Sequence, residues 1–178
     1  MLFRTLRSDD IERLYEPPSR PHAAEWIRQQ AAGEVYVVVA EVDGIPVGHR
    51  CLNFQWHRAE DAVYGFALGV LPAWRSRGIG TAIDVHCEAV ARSHGFGALR
   101  AGIEKTNVRG LAWHQRIGYR ILHDREIRWT DLGVERVTHC TIVERRWSDA
   151  GSIRGRVRRF WHTTGKRYLR ATRPEEGP

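Results

Sequence analysis

Lysine is nearly missing from this chain. Of 28 basic residues only Lys105 and Lys166 are lysines, and the rest are arginines. Such a set suits phosphate or nucleic-acid recognition, and codon bias alone would produce it equally well. Cysteine is scarce too. Cys51, Cys87 and Cys140 are far apart, odd in number and form no Cys-x-x-Cys pair, so neither a disulfide framework nor a zinc site is expected. Nine histidines scatter without metal-ligand spacing, and no metal is expected. No stretch approaches the roughly 20 apolar residues that span a bilayer, and Met1–Arg7 lacks the apolar core of a signal peptide. A reducing, cytoplasmic location is the expectation. No Ser-His-Asp or Cys-His arrangement stands out, so a covalent enzyme intermediate is not expected.

What is present fits one soluble domain. The 178 residues are 42% apolar and 28% charged, enough for one sizeable core. The net charge of +7 is unevenly spread. Gly151–Pro178 holds eight Lys/Arg and two Glu, leaving the rest close to neutral. The chain therefore reads as a domain over 1–147 and a basic extension over 148–178, partly helical or disordered.

Local signals predict the elements of that domain. Phe3–Arg7 reads as a strand, Ser8 as the cap of a short helix to Leu14, and Pro21–Gln30 as a second helix. Val35–Val42 and Ile45–Trp56 read as a hairpin about Asp43-Gly44. Ala62–Val70 follows as a strand, Thr81–His94 as a helix, Ala98–Ile103 as a strand and Val108–Ile117 as a helix. Tyr119–Trp129 and Val134–Trp147 close the order as strands. The expected class is α/β (α+β), a mixed, mostly antiparallel central sheet flanked by helices.

The chemistry concentrates in Val70-Leu71-Pro72-Ala73-Trp74-Arg75-Ser76-Arg77-Gly78-Ile79-Gly80-Thr81-Ala82. A strand ends, a short basic loop follows and a helix opens near Thr81. A helix N-terminus offers unpaired N–H groups and partial positive charge. Gly78 and Gly80 remove side chains where a ligand's oxygens would approach, and Arg75 and Arg77 add charge, which together make a phosphate or pyrophosphate site. A nucleoside triphosphate loop would need Gly-Lys-Ser/Thr, and a dinucleotide fingerprint a third glycine where Ile83 stands. Upstream, Phe66, Leu68 and Val70 alternate with Gly65, Ala67 and Gly69. One strand face is thus expected to be bulky and the other nearly bare, for close approach of a ligand or for helix packing.

Arg75-Ser76-Arg77-Gly78-Ile79-Gly80 resembles the Gln/Arg-x-x-Gly-x-Gly/Ala motif of the GCN5-related N-acetyltransferase (GNAT) superfamily, over roughly Leu2–Trp147. Asn107 through Gly118-Tyr119 resembles the second signature of that family, with Gly110 in place of the common Ala and His114 in place of the usual Tyr. The resemblance implies the GNAT acyl-CoA acyltransferase fold, with acetyl-CoA as cosubstrate and no metal. It implies pyrophosphate contacts by Arg75, Ser76, Arg77, Gly78, Ile79, Gly80 and Thr81. Main-chain groups of Leu68, Gly69 and Val70 would hold the pantetheine arm, and Asn107, also a helix cap, would contact the cofactor.

Acetyl transfer to an amine needs a base, and Glu104 is the first candidate, with His49, His57 and Glu60 behind it. His114 is the candidate acid for the departing thiolate; packing is the equal alternative. The expected acceptor is a primary amine of a small molecule or a protein. Tyr15, Trp26, Arg125, Trp129 and Arg136 fall in the segments that would select it, and suit an aromatic or partly anionic acceptor. A non-catalytic acyl-CoA sensor and a tRNA-linked acetyltransferase using the Arg-rich extension are the alternatives. Ile153, Val157 and Phe160-Trp161 fall at helical spacing among arginines. Docking on the chain's own domain or on a second subunit, as in a homodimer, is favoured there over contact with a membrane or nucleic acid.

Overall fold

In the computed structural model, the structure describes residues 1–131 and 134–147. The expected basic extension over 148–178 lies outside the described residues. Seven strands form one sheet in the order β1-β2-β3-β4-β5-β7-β6. They are β1 Leu2–Thr5, β2 Val35–Val42, β3 Ile45–Asn53, β4 Ala62–Val70, β5 Ala98–Glu104, β6 Arg120–Asp131 and β7 Val134–Arg146. The helices are α1 Ile11–Leu14, α2 Arg20–Ala31, α3 Ile79–Ser93 and α4 Val108–Arg116. Only β4 and β5 pair in parallel, which requires the crossover that α3 supplies. The mixed, mostly antiparallel sheet flanked by helices is the fold read from the sequence.

Element boundaries follow local chemistry. The β2–β3 hairpin turns on Asp43 (φ 51°) and Gly44 (φ 77°), two left-handed residues that match the twist of the strands. β3 stops at Asn53, short of the expected Trp56, because the Asn53 Oδ1 accepts the N–H groups of Gln55 and Trp56 at 2.9 Å and turns the chain. α3 starts at Ile79 rather than Thr81, with left-handed Gly78 (φ 78°) as its cap. Ser8 makes no cap bond; the Asp10 carboxylate receives the Arg7 N–H at 2.9 Å instead. All three cysteines are free and buried.

Each face of the sheet has its own core. Under α3, Val38, Val47, Val63, Leu99 and Val143 meet Ile83, Cys87 and Ala91. Under α1 and α2, Val35, Val37, Val39 and Cys51 meet Leu14, Tyr15 and Ala23. The helices reach these cores because their apolar residues recur at three- and four-residue spacing.

Two irregularities in β4 build the opening on which the site depends. β4 and β5 pair only from Ala62–Tyr64 to Ala98–Arg100, after which the strands part. Both arms stay fixed from outside, because β3 pairs with β4 out to Val70 and β7 pairs with β5 out to Glu104. The second irregularity is a bulge. His49 faces Gly69 and Cys51 faces Phe66, so β4 carries one extra residue opposite Arg50, with Ala67 at φ 49°. The bulge overturns the expected alternation: Phe66 packs on the α1–α2 side, whereas Leu68 and Val70 pack on the α3 side. One inserted residue shifts the two-residue period by one.

Candidate functional site

Beyond Tyr64 and Arg100, no strand among the described residues lies between the facing edges of β4 and β5. Backbone N–H and C=O groups on such edges require partners. An extended ligand bearing amides fits this edge in the manner of an added strand. The bulge at Ala67 lies midway along the β4 arm, so Leu68, Gly69 and Val70 line its outer half.

Beyond Val70 the chain runs through a short turn at Pro72–Trp74 into the basic loop. The Arg75 Nε donates to the Val70 carbonyl at 3.0 Å and ties the loop to the strand end. The Arg77 guanidinium lies 5.1 Å from the centre of the Trp74 ring, a cation–π contact. Ser76 is held at φ 60°, a conformation that costs a non-glycine residue about 1 kcal/mol or more and recurs at ligand sites. α3 has no side-chain cap, so the first intrahelical bond is Ala82 N–H to the Gly78 carbonyl. The N–H groups of Ile79, Gly80 and Thr81 therefore have no intrahelical acceptor. A Cβ on Gly80 would meet only ordinary contacts, Trp113 at 3.7 Å and Val70 at 3.8 Å. The protein's own packing does not demand glycine there, and its absent side chain clears the approach to the helix end. Gly78 is required for its positive φ, with open space around it.

Gly65 and Gly69 have a different cause from either of those expected. A Cβ on Gly65 would fall 2.7 Å from the Arg50 Nε, and one on Gly69 would fall 2.6 Å from the His49 Cε1. Side chains from β3, rather than a ligand or a helix, fill the space above these two glycines.

On the α3 face a buried ionic cluster lies beneath the opening. Arg50 and Asp84 are 1% and 0% exposed and form an ion pair. The Tyr119 hydroxyl donates to the Asp84 Oδ1 at 2.8 Å, and the Arg145 Nη1 pairs with the Asp84 Oδ2 at 2.7 Å. The sequence reading missed this cluster, yet a signal was present. Asp84 sits inside the apolar stripe of α3, between Ile83 and Cys87, and a buried carboxylate there requires a cation.

His114 is 5% exposed and packs edge-on against Trp113 and Tyr119, with ring centres 4.6 and 5.0 Å away. Its Nδ1 lies 2.8 Å from the Gly110 carbonyl, which can only accept, so Nδ1 carries the proton. The Nε2 is buried without a partner among the described residues. Burial lowers the ring to about 4, against the opposing bond to Gly110. A neutral ring whose N–H is committed to a carbonyl has no proton to offer a departing thiolate, so this geometry does not suit the acid role expected of it. Asn107 caps α4, its Oδ1 accepting the Gly110 N–H at 2.8 Å. A Cβ on Gly110 would come within 2.6 Å of the Asn107 side chain, which accounts for glycine at that position.

On the α1–α2 face the opening is flanked by Glu104 and His49. Glu104 is exposed at the end of β5, on the side opposite buried Ile103. His49 is 9% exposed, its ring against Gly69 beside the bulge and 4.4 Å from the Tyr15 ring. Burial lowers it to about 4, and it is neutral at pH 7. Tyr15 and Trp26 join this cluster as well. Trp129 and Arg136 do not: they oppose each other on the β6–β7 ribbon, where β7 no longer pairs with β5. Arg125 lies close enough to influence His57 and Tyr64.

The sequence profile of the acetyltransferase (GNAT) family matches residues 3–119. The chain belongs to that family. No curated protein matches the chain. Solved structures of GNAT-type fold align over most of it. A ribosomal-protein-alanine N-acetyltransferase from Brucella melitensis is 18% identical with a TM-score of 0.64, covering 83% of this chain and all of the other. The yncA protein of Salmonella typhimurium, solved with its cofactor acetyl-CoA, is 17% identical with a TM-score of 0.61, covering 85% of this chain and 96% of that one. A GNAT acetyltransferase from Elizabethkingia anophelis with acetyl-CoA bound is 14% identical with a TM-score of 0.60, covering 82% and 97%. GNAT enzymes use acetyl-CoA as cosubstrate. Three features described above fit that molecule: the open strand edge suits its amide arm, the uncapped start of α3 suits its pyrophosphate, and the bare Gly80 leaves room for it.

Proposed function

We propose that the chain is an N-acetyltransferase that moves an acetyl group directly from acetyl-CoA to a primary amine of a small molecule or a protein. The observation that carries this reading is the β4–β5 opening, continuous through β4 with the uncapped N-terminus of α3. Leu68, Gly69 and Val70 would bind the pantetheine arm through the backbone. Ile79, Gly80 and Thr81 would bind the pyrophosphate with their N–H groups, aided by Arg75, Ser76 and Arg77 at the rim beside Gly78. Asn107 would add a contact from the start of α4. Backbone N–H groups at the bulge would stabilise the oxyanion as the amine nitrogen bonds to the carbonyl carbon.

The amine must shed a proton as the new C–N bond forms and the C–S bond breaks. His49 and Glu104, one beside each arm of the opening, would take it directly or through water. Sulfur leaves as a thiolate. A thiol of cysteine type has a pKa of about 8.5, so a neutral-pH reaction does not require an acid at His114. The same feature keeps one rival in view, an acyl-CoA sensor that binds without turnover.

Isothermal titration with acetyl-CoA tests the reading. Wild type and Gly80→Ala should both fold, while Gly80→Trp should fold and lose binding, because its indole fills the pyrophosphate approach. A wild type that binds neither acetyl-CoA nor CoA would sink the proposal.

A further inference from the structure

The α1–α2 face of β4 carries a row of aromatic rings that ends at the bulge. Phe66 precedes the bulge directly. Trp26 of α2 meets Phe66 edge-on at 6.0 Å, and Trp56 lies over Phe66 at 5.4 Å with 30° between the ring planes. Trp56 also contacts Tyr64 at 5.3 Å, and His57 stacks on Tyr64 at 5.3 Å. The row thus runs from Trp26 at the opening to His57 at the far end.

Trp56 is the unusual member, because it is 61% exposed and yet fixed. Its main-chain N–H and that of Gln55 both bond to the Asn53 Oδ1, Asn53 being only 6% exposed, and its ring lies against Phe66 and Tyr64. An indole left mostly in water forgoes apolar burial. Here it is held at that cost beside the opening, where an incoming ring would recover the loss.

At the far end Arg100 donates to the His57 Nδ1 at 3.2 Å while pairing with Glu144 at 2.8 Å and lying 4.0 Å from Glu60. Burial lowers His57, and Arg100 and Arg125 lower it further against Glu60.

We infer that the acceptor is an amine with an aromatic ring a few bonds from its nitrogen, the ring resting on Trp56 and Phe66 and the amine reaching the bulge. The bulge begins at the residue after Phe66, so a ring on Phe66 lies a short side chain away from the bulge backbone. The inference rests on the acetyl-transfer reading above.

The test measures CoA release with a thiol reagent, beside calorimetric binding of acetyl-CoA. The acceptors are 2-phenylethylamine, tryptamine, isobutylamine and spermidine. The aryl amines should exceed isobutylamine and spermidine about tenfold in kcat/KM, in keeping with ring contacts of order 1 kcal/mol. Trp56→Ala should remove most of that advantage through KM, Trp56→Phe should restore it, and both should bind acetyl-CoA like wild type. Acetyl-CoA binding with no aryl turnover, or with equal or better turnover of the aliphatic amines, overturns the acceptor assignment alone. So does an equal loss on all acceptors in Trp56→Ala. Failure to bind acetyl-CoA removes the acetyl-transfer reading and this inference with it.

Discussion

His114 and His49 sit on opposite faces of the same opening, and burial lowers both rings to about 4. Their surroundings differ in kind. On the α3 face His114 bonds to Gly110, and the neighbouring Arg50, Asp84, Tyr119 and Arg145 pair with one another. On the α1–α2 face no protein hydrogen bond to His49 is found among the described residues, and its neighbours are mainly rings. What separates the two rings is their company: an ion-paired cluster of Arg50, Asp84 and Arg145 beside His114, and the aromatic rings of Tyr15 and Trp26 beside His49. In the proposed reaction the α3 face would support the fold and the α1–α2 face would receive the acceptor.

Three measurements sharpen or break that assignment. The largest effect is expected on the α3 face. Asp84→Asn leaves Arg50 buried with weakened pairing and should cost about 3–5 kcal/mol of stability, lowering Tm by roughly 10 °C in thermal unfolding. A change below about 1 kcal/mol would mean that the cluster is not supporting the fold.

On the other face the effect should fall on rate. His49→Gln should cut kcat/KM by roughly 100-fold with acetyl-CoA affinity retained, and Glu104→Gln should have a smaller effect. His114→Gln should do the reverse, lowering Tm while leaving kcat within about tenfold. If His114→Gln and His49→Gln exchange these outcomes, the assignment of the two faces is wrong.

The smallest effect of a substitution is on the pH dependence of stability, where removing one ring changes only the slope. Both rings titrate near 4 in the folded chain, below their ordinary 6.5. The unfolded chain therefore binds more protons between those values, and stability falls as pH drops from about 6.5 towards 4. The slope approaches 1.4 kcal/mol per pH unit for each ring. The half-buried His57, His86 and His94 are lowered too and act in the same direction. Glu144 belongs to a more acidic window. Burial raises it, but Arg120, Arg146 and Arg100 bring it down to about 2, so its contribution is lost only below its ordinary carboxylate range. Urea midpoints at pH 7, 5.5 and 4.5 should fall in step, with a shallower slope in His114→Gln.

Much of this was legible from the chain, for reasons that particular residues make clear. The limits of Val35–Val42 and Ala62–Val70 were readable because each is a β-branched or aromatic run closed by residues that break strands, Asp43-Gly44 and Pro72 among them. The Arg75–Gly80 motif was readable because a phosphate turn is made by consecutive residues. The bulge at Ala67 was not, because it exists only in register with Arg50 of the neighbouring strand. His49 appeared in the sequence as one weak candidate among several; its place beside the opening depends on β3 pairing with β4 at Gly69. The general-acid reading of His114 came from its position in a motif, and a motif carries no record of where the ring's N–H is bonded.

By itself the sequence determined the order of the elements, the fold they form and the turn proposed to meet the cofactor. Those depend on periodicity and on contacts between near neighbours, which the linear chain carries in full. The tertiary structure alone decided which side chains share the opening. Arg50 and Asp84 meet across 34 positions, His49 meets Gly69 across a sheet register, and Trp56 reaches Phe66 around a turn. Such meetings depend on strand pairing and layer packing, where one inserted residue moves a side chain to the other face of the sheet.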